Sequence, residues 1–371
     1  MVNFTAAAAL APDVASRVMR LLPREFQDAF VQSPNLFMLF MSMGLAAALI
    51  CSFWMLAGMG RASGLARMAL RGQALKRAKD HRALVLIAEI EGGDHLLRQE
   101  MKEAVEDNFG LFSFEQNVQV DLFPIRLKTL PPNAHPEARR RITVEAAEAL
   151  ERSAADVIVW GRRTLLGKLD LRVMTLPGYG RTHDVQDFQL SWRVGRPDEV
   201  VQRALAFALA RKARSVLHRP QDYKPERLQP IVEALDRMVD ARSPDVSDGL
   251  QLDILSDFAS GALSLGERGG HIKWLSKALD ARQLYLDRVD RTTDPSAWGA
   301  AQQEIGRALT ALGEREGARD KLEEGASRLR LAMDALRSTE SLQQAEVALR
   351  ALQRAEQTLQ QRRRVGLRWP G

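Results

Sequence analysis

The chain has 371 residues, 53 Lys plus Arg against 47 Asp plus Glu, a formal charge of +6, and a single cysteine, Cys51. One cysteine excludes an internal disulfide and a Cys-ligated metal site. The positive excess lies largely in a run from Arg61 to Arg82 and in Arg362, Arg363, Arg364 and Arg368. Neither run is interleaved with the aromatics on which bases stack, so no nucleic acid is expected as a partner.

Residues 1–35 form an N-terminal segment in which Val14 to Phe30 has a weak amphipathic pattern suited to a membrane surface. From Leu36 to Met59 no side chain is charged. As a helix this run is roughly 36 Å long, against roughly 30 Å for a hydrocarbon core. A buried soluble helix of that length would carry a polar stripe. A cleaved signal peptide would be shorter and would not follow Asp13, Arg17, Arg20, Arg24, Glu25 and Asp28. The expectation is a single transmembrane helix over 36–60. A basic helix over 61–81 follows, with Arg61, Arg67, Arg71, Lys76, Arg77 and Lys79 as candidate contacts to anionic lipid. The Lys/Arg excess on the C-terminal flank places the rest of the chain in the cytoplasm, anchored to an inner membrane.

The roughly 290 residues beyond are enough for two domains of ordinary size. Over 82–217 the pattern predicts β-α-β-α-β-β-β and a further helix. Strands are expected at Ala83 to Ile90, Val118 to Phe123, Val157 to Trp160, Leu169 to Met174 and Asp187 to Val194. Helices are expected from Asp94, acting as cap, to Asn108, from Pro136 to Arg152, and from Pro197 to about Leu217. The result is a small mixed-sheet α/β domain. Its element order and the segment Ala155 to Gly161 (Ala-Asp-Val-Ile-Val-Trp-Gly) resemble small α/β domains that stand beside sensor or repeat modules in bacterial envelope proteins. The amino-terminal domain of the Tol–Pal β-propeller protein is one of these. That resemblance implies protein docking more than catalysis.

His218 to Glu226 is a polar, proline-bearing linker, and 227–365 reads as almost wholly helical before a tail at 366–371. Here Leu265-Gly266-Glu267-Arg268 recurs as Leu312-Gly313-Glu314-Arg315, an offset of 47 (312 − 265). Leu275 matches Leu322 at the same offset, and Asp287 matches Asp334. Such units bury their apolar stripes only by stacking, which predicts an α-solenoid, with Ile231 to Val239 as an opening unit and Glu340 to Arg363 as a closing one. The segment from Asp294-Pro295-Ser296-Ala297-Trp298 through Leu312-Gly313-Glu314-Arg315 to Leu322-Glu323-Glu324-Gly325-Ala326 resembles bacterial tetratricopeptide repeats of long period. It departs from the usual period of about 34 and lacks the Tyr that normally follows the Leu-Gly pair. The resemblance implies that the first helix of each unit lines a groove for a partner protein. Ser256, Asp257, Gln302, Gln303 and Arg307 are then the candidate contact residues. Trp274, Tyr285 and Trp298 are candidate interface or packing aromatics.

Chemistry is sparse. The six histidines show no paired metal spacing, and there is no Gly-x-Ser-x-Gly elbow. The turn Glu91-Gly92-Gly93-Asp94 sits where a phosphate loop would sit but lacks its signature, and its acids would repel phosphate. No catalytic residue, cofactor or metal is expected. The whole reads as α/β plus all-α: one membrane span, a mixed-sheet domain and a tetratricopeptide-like solenoid serving as a non-catalytic, membrane-tethered scaffold. A ligand-sensing regulatory protein is the alternative.

Overall fold

The computed structural model describes residues 43, 46–55, 83–113, 118–124, 126–130, 134–175, 185–217, 225–339 and 341–366. The chain divides into two compact units, Met1–Leu65 and Ala66–Gly371. In the first, Met43 and residues 46–55 are helical, and Leu49, Ile50, Phe53, Trp54 and Met55 are all exposed. Among the described residues no helix is long and apolar enough to cross a membrane. Of the single span read from the sequence over 36–60, only Met43 and residues 46–55 are described. Most of that run lies outside the described residues, as do the amphipathic stretch Val14 to Phe30 and the lipid-contact candidates from Arg61 to Lys79.

The second unit is mixed α/β at its start and helical thereafter. Five strands, β1 (Ala83–Ile87), β2 (Val118–Leu122), β3 (Val157–Arg163), β4 (Lys168–Thr175) and β5 (Val185–Ser191), form one sheet in the order β2-β1-β3-β4-β5. β1 is parallel to β2 and to β3, with Val85 opposite Val120 and Val157. β3, β4 and β5 form an antiparallel meander, with Trp160 opposite Arg172 and Leu171 opposite Phe188. Burial follows from this topology. Central parallel β1 is covered on both sides and is buried at all five positions of Ala-Leu-Val-Leu-Ile. In β4 the burial alternates from Lys168 to Arg172, with Leu169 and Leu171 inward and Asp170 and Arg172 half-exposed.

Helix α1 (His95–Asn108) connects β1 to β2 and α2 (Pro136–Ser153) connects β2 to β3. The two crossovers run in opposite directions along the sheet, so the right-handed rule puts them on opposite faces. The Asp94 carboxylate caps α1 by accepting from the Leu97 N–H at 2.8 Å. Helix α3 (Glu199–Leu217) joins α1 over the sheet, where Phe207 meets Phe112 edge-on at 5.7 Å. The turn after β5 is fastened to α1 by Glu100, which accepts from Trp192 Nε1 at 2.9 Å and from the Gly195 N–H at 2.6 Å.

The C-terminal part consists of α4 (Pro225–Ala241), α5 (Asp248–Gly269), α6 (Ile272–Leu286), α7 (Pro295–Glu316), α8 (Arg319–Ser338) and α9 (Leu342–Gly366), each packed on the next in sequence. One continuous apolar core runs from Ala83 in β1 to Leu312 in α7. The join is stitched by backbone as well. Between α4 and α5, Asp245 O accepts from Ser191 N at 2.7 Å, and Ser247 N donates to Gln189 O at 3.0 Å, so residues 245–247 lie along the free edge of β5.

The offset of 47 is physical. Gly266 and Gly313 each sit where the first helix of a pair packs tightly on the second. A Cβ on Gly266 would lie 2.6 Å from Leu275 Cδ2, and one on Gly313 would lie 2.8 Å from Leu322 Cγ and 3.0 Å from Ala318 O. Leu275 and Leu322 are themselves 47 apart and fully buried. Helices α5 and α7 both end at a left-handed glycine, Gly270 (φ 76°) and Gly317 (φ 75°), a conformation that costs glycine nothing.

Candidate partner-binding surface

The Glu-Arg of the repeated motif holds neighbouring helices together in the same way twice. Glu267 on α5 is gripped by Arg307 on α7, Nε to Oε1 at 3.0 Å and Nη2 to Oε2 at 2.5 Å, while Arg315 Nη2 donates to the Glu267 carbonyl at 3.1 Å. One period later Glu314 on α7 is gripped by Arg354 on α9, again at 3.0 and 2.5 Å, while Arg362 Nη2 donates to the Glu314 carbonyl at 2.9 Å. Paired fork contacts of this kind fix orientation as well as charge. They also identify α9 as the counterpart of α5 and α7, the opening helix of a third unit.

These contacts line an open groove between the C-terminal parts of α5 and α7 and the middle of α9. Five arginines, Arg268, Arg307, Arg315, Arg350 and Arg354, border it against one carboxylate, Glu267. Its apolar lining is Ala311, Val347 and Ala351. Arg354 is further stabilised as a cation, chiefly by its hydrogen bonds to Glu314. Arg350 is exposed and, among the described residues, pairs along its own helix with Glu346. Arg315 also borders the groove, and its Nη1 is buried without a hydrogen-bond partner among the described residues.

A second polar cluster lies between α5, α6 and α7. Arg282 is buried on α6 at the position that leucine holds one period either way, Leu235 and Leu329. It donates to Glu304 Oε2 at 2.6 Å, Ser260 Oγ at 2.7 Å, Ser256 Oγ at 3.0 Å and Ser256 O at 3.2 Å, and lies 5.1 Å from the Tyr285 ring. Burial pushes the Tyr285 hydroxyl above its ordinary pKa, with Arg282 opposing. Beside it, Arg211 on α3 meets Asp253 at 2.7 Å and Asp257 at 3.5 Å, and Gln186 on β5 also donates to Asp253. Burial raises the Asp253 pKa despite Arg211, because desolvation of the carboxylate outweighs the attraction. The cluster has its charges matched internally and joins sheet to helices.

The five expected contact residues divide accordingly. Arg307 lines the groove. Ser256 and Asp257 belong to the internal network. Gln302 and Gln303 are 4% and 8% exposed, and Gln302 accepts from Arg328 at 3.3 Å, so both point into the array. Trp274 is part of the core, and Arg291 covers Trp298 at 4.9 Å. Missed by the sequence reading were Arg268, Arg315, Arg350 and Arg354. The first two are the arginines of the repeated motif itself, which marked them.

On the α/β part, an open cleft is bordered by Arg162, Asp170, Arg172, Asp187 and Gln189 of the meander, with Thr129 from the loop before α2. Its charges pair across strands, Arg162 with Asp170 at 2.9 Å and Arg172 with Asp187 at 3.2 Å. Thr129 Oγ1 is buried there without a hydrogen-bond partner. The Glu91-Gly92-Gly93-Asp94 turn is occupied structurally: Glu91 N donates to Gly161 O, Glu91 O accepts from Arg163 N, and Asp94 caps α1. No group of His, Cys, Asp or Glu among the described residues could hold a metal ion.

No family model matches the chain, and neither the curated proteins nor the solved structures contain a match. The resemblances to tetratricopeptide repeats and to the Tol–Pal domain rest on the residues quoted for them.

Proposed function

We propose that this chain is a non-catalytic scaffold that is tethered to a membrane and holds partner proteins on a tetratricopeptide-like solenoid. The observation that carries the reading is the repetition of the Glu–Arg interlock at 47 residues, Glu267 with Arg307 and Arg315, then Glu314 with Arg354 and Arg362. A stack held this way presents a continuous ridge-and-groove surface without any concentrated chemistry. The tether is the apolar run Leu36 to Met59, whose exposed Phe53, Trp54 and Met55 suit lipid better than water. By the distribution of lysine and arginine, the compartment is the cytoplasmic side of a bacterial inner membrane. Tethering concentrates a bound partner at that surface with no added contact.

Affinity capture of the full chain from native membranes tests the scaffold. A protein recovered in stoichiometric amount supports it; a chain that comes down alone after cross-linking refutes it. Alkaline extraction tests the tether, since a spanning chain stays in the pellet. Replacing Cys51 by Ser and introducing a cysteine in 218–224 lets an impermeant thiol reagent report the side.

The sheet cleft supports a second reading, a ligand-sensing regulatory protein, through its one buried, unpartnered hydroxyl, Thr129 Oγ1. A small molecule that raises the thermal midpoint of the full chain would favour it.

A further inference from the structure

We infer that the arginine-bordered groove between α5, α7 and α9 is a binding site for an extended, acidic segment of a partner protein. This rests on the scaffold reading, because it names the chemistry of the partner.

Two independent observations meet in the groove. The first is charge: five arginines border it, against Glu267 in the groove and Glu314 and Glu346 beside it, which hold Arg354 and Arg350. Within the fold the guanidinium forks of Arg307 and Arg354 are already matched to carboxylates, so the same side chains are set at the angle a carboxylate takes. The second is the Nη1 donor of Arg315, a residue that borders the groove; this atom is buried and has no acceptor among the described residues. A buried donor left unmatched is costly, and a carboxylate oxygen in the groove would match it once the Arg315 side chain turns outward.

The spacing suggests what the segment looks like. Arg268, Arg315 and Arg362 occupy one position on three successive opening helices. Packed helix axes stand about 10 Å apart. An extended chain advances about 3.3 Å per residue, so an acid at roughly every third residue meets each arginine in turn. The apolar lining of Ala311, Val347 and Ala351 accepts the small residues between. A nucleic acid fits less well, since among the described residues no aromatic borders the groove for a base to stack on.

The test uses the full chain in nonionic detergent and a fluorescein-labelled peptide, Glu-Gly-Ser-Glu-Gly-Ser-Glu, read by fluorescence anisotropy. The same peptide with Gln for Glu should bind at least tenfold more weakly, and binding should weaken as salt rises from 50 to 500 mM. Arg350→Glu reverses a charge on an exposed residue bonded within α9, so the fold should survive by circular dichroism while peptide affinity falls at least fivefold. Arg315→Lys keeps the charge but loses the fork and should also weaken binding. Equal binding of the Glu and Gln peptides overturns the inference, as does tighter binding of an oligothymidylate. If the peptide fails but membranes still yield a stoichiometric partner, the groove is refuted and the scaffold stands. If the peptide binds as expected but no partner is captured, the scaffold is refuted and the groove stands.

Discussion

Adding one methyl group to α7 should distinguish a true structural period from a coincidence of letters. In Gly313→Ala the new Cβ would lie 2.8 Å from Leu322 Cγ, 3.0 Å from Ala318 O and 3.0 Å from Leu322 N. Comfortable carbon contacts are about 3.5–4.0 Å, and two of the three atoms are backbone, so α7 and the start of α8 must move apart. Overpacking of this kind costs about 1–3 kcal/mol, against a gain of up to about 1 kcal/mol from replacing glycine by alanine inside a helix. At Gly266 the contacts are 2.6 and 2.7 Å to the Leu275 side chain and 3.1 Å to its backbone nitrogen. A leucine rotamer yields more readily than a backbone, so Gly266→Ala should cost less than Gly313→Ala. Gly249, near the start of α5, has open space around it, and Gly249→Ala should be neutral or stabilising by about 0.4–1 kcal/mol. Urea unfolding of the full chain, followed by far-ultraviolet circular dichroism, ranks the three. A Gly313→Ala chain as stable as Gly249→Ala would refute the close approach of α7 to α8, and with it the structural meaning of the 47-residue offset.

Other substitutions probe the remaining joints. Arg282→Leu should lower stability by about 3 kcal/mol, because Glu304 is left largely buried and without its cation, and Arg282→Leu with Glu304→Leu should recover most of the loss in the same urea assay. Glu100→Ala removes the acceptor of the buried Trp192 Nε1 and should cost about 1–3 kcal/mol, read from the urea midpoint. The folded-state pKa of Asp253 is raised, so the native state holds this proton more tightly than the unfolded chain does. Its contribution is fully present below the unfolded value near 3.8 and is lost as pH rises through the raised folded value. Relative to Asp253→Asn, the parent should therefore gain stability as pH is lowered toward 4; an unchanged difference across pH 4–7 by thermal melting would contradict this.

The strands and helices of the α/β part were legible because apolar runs and punctuation agreed, but the ends of the strands do not follow hydropathy. The first strand reads as Ala83 to Ile90 by hydropathy, whereas β1 spans Ala83–Ile87; beyond it Ala88 N still donates to Val159 O and Glu91 N to Gly161 O, and Ala88 and Ile90 remain buried. In β3 the apolar run ends at Trp160, and the ladder continues through Gly161, Arg162 and Arg163 because β4 supplies partners for polar residues too. The binding surface was harder to place. Gln302 and Gln303 look like ligand contacts on an opening helix, yet α7 has neighbours on several sides and both turn inward. Arg282 shows the converse, a charge placed where the period calls for leucine, which no pattern of apolar residues could signal.

The stitch of residues 245–247 along β5, together with the core that runs unbroken into α7, casts the sheet in an unforeseen part. A stacked array has two ends, and an end without a neighbour shows the stripe that the next unit would have covered. Here the globular sheet closes the first end, serving as a lid of different architecture in place of a terminal repeat. The helices are then no detachable cassette. Cut free before α4 they would lose the β5 backbone partners of residues 245–247 and the Arg211 and Gln186 contacts of Asp253, and the fragment should aggregate where the intact chain does not.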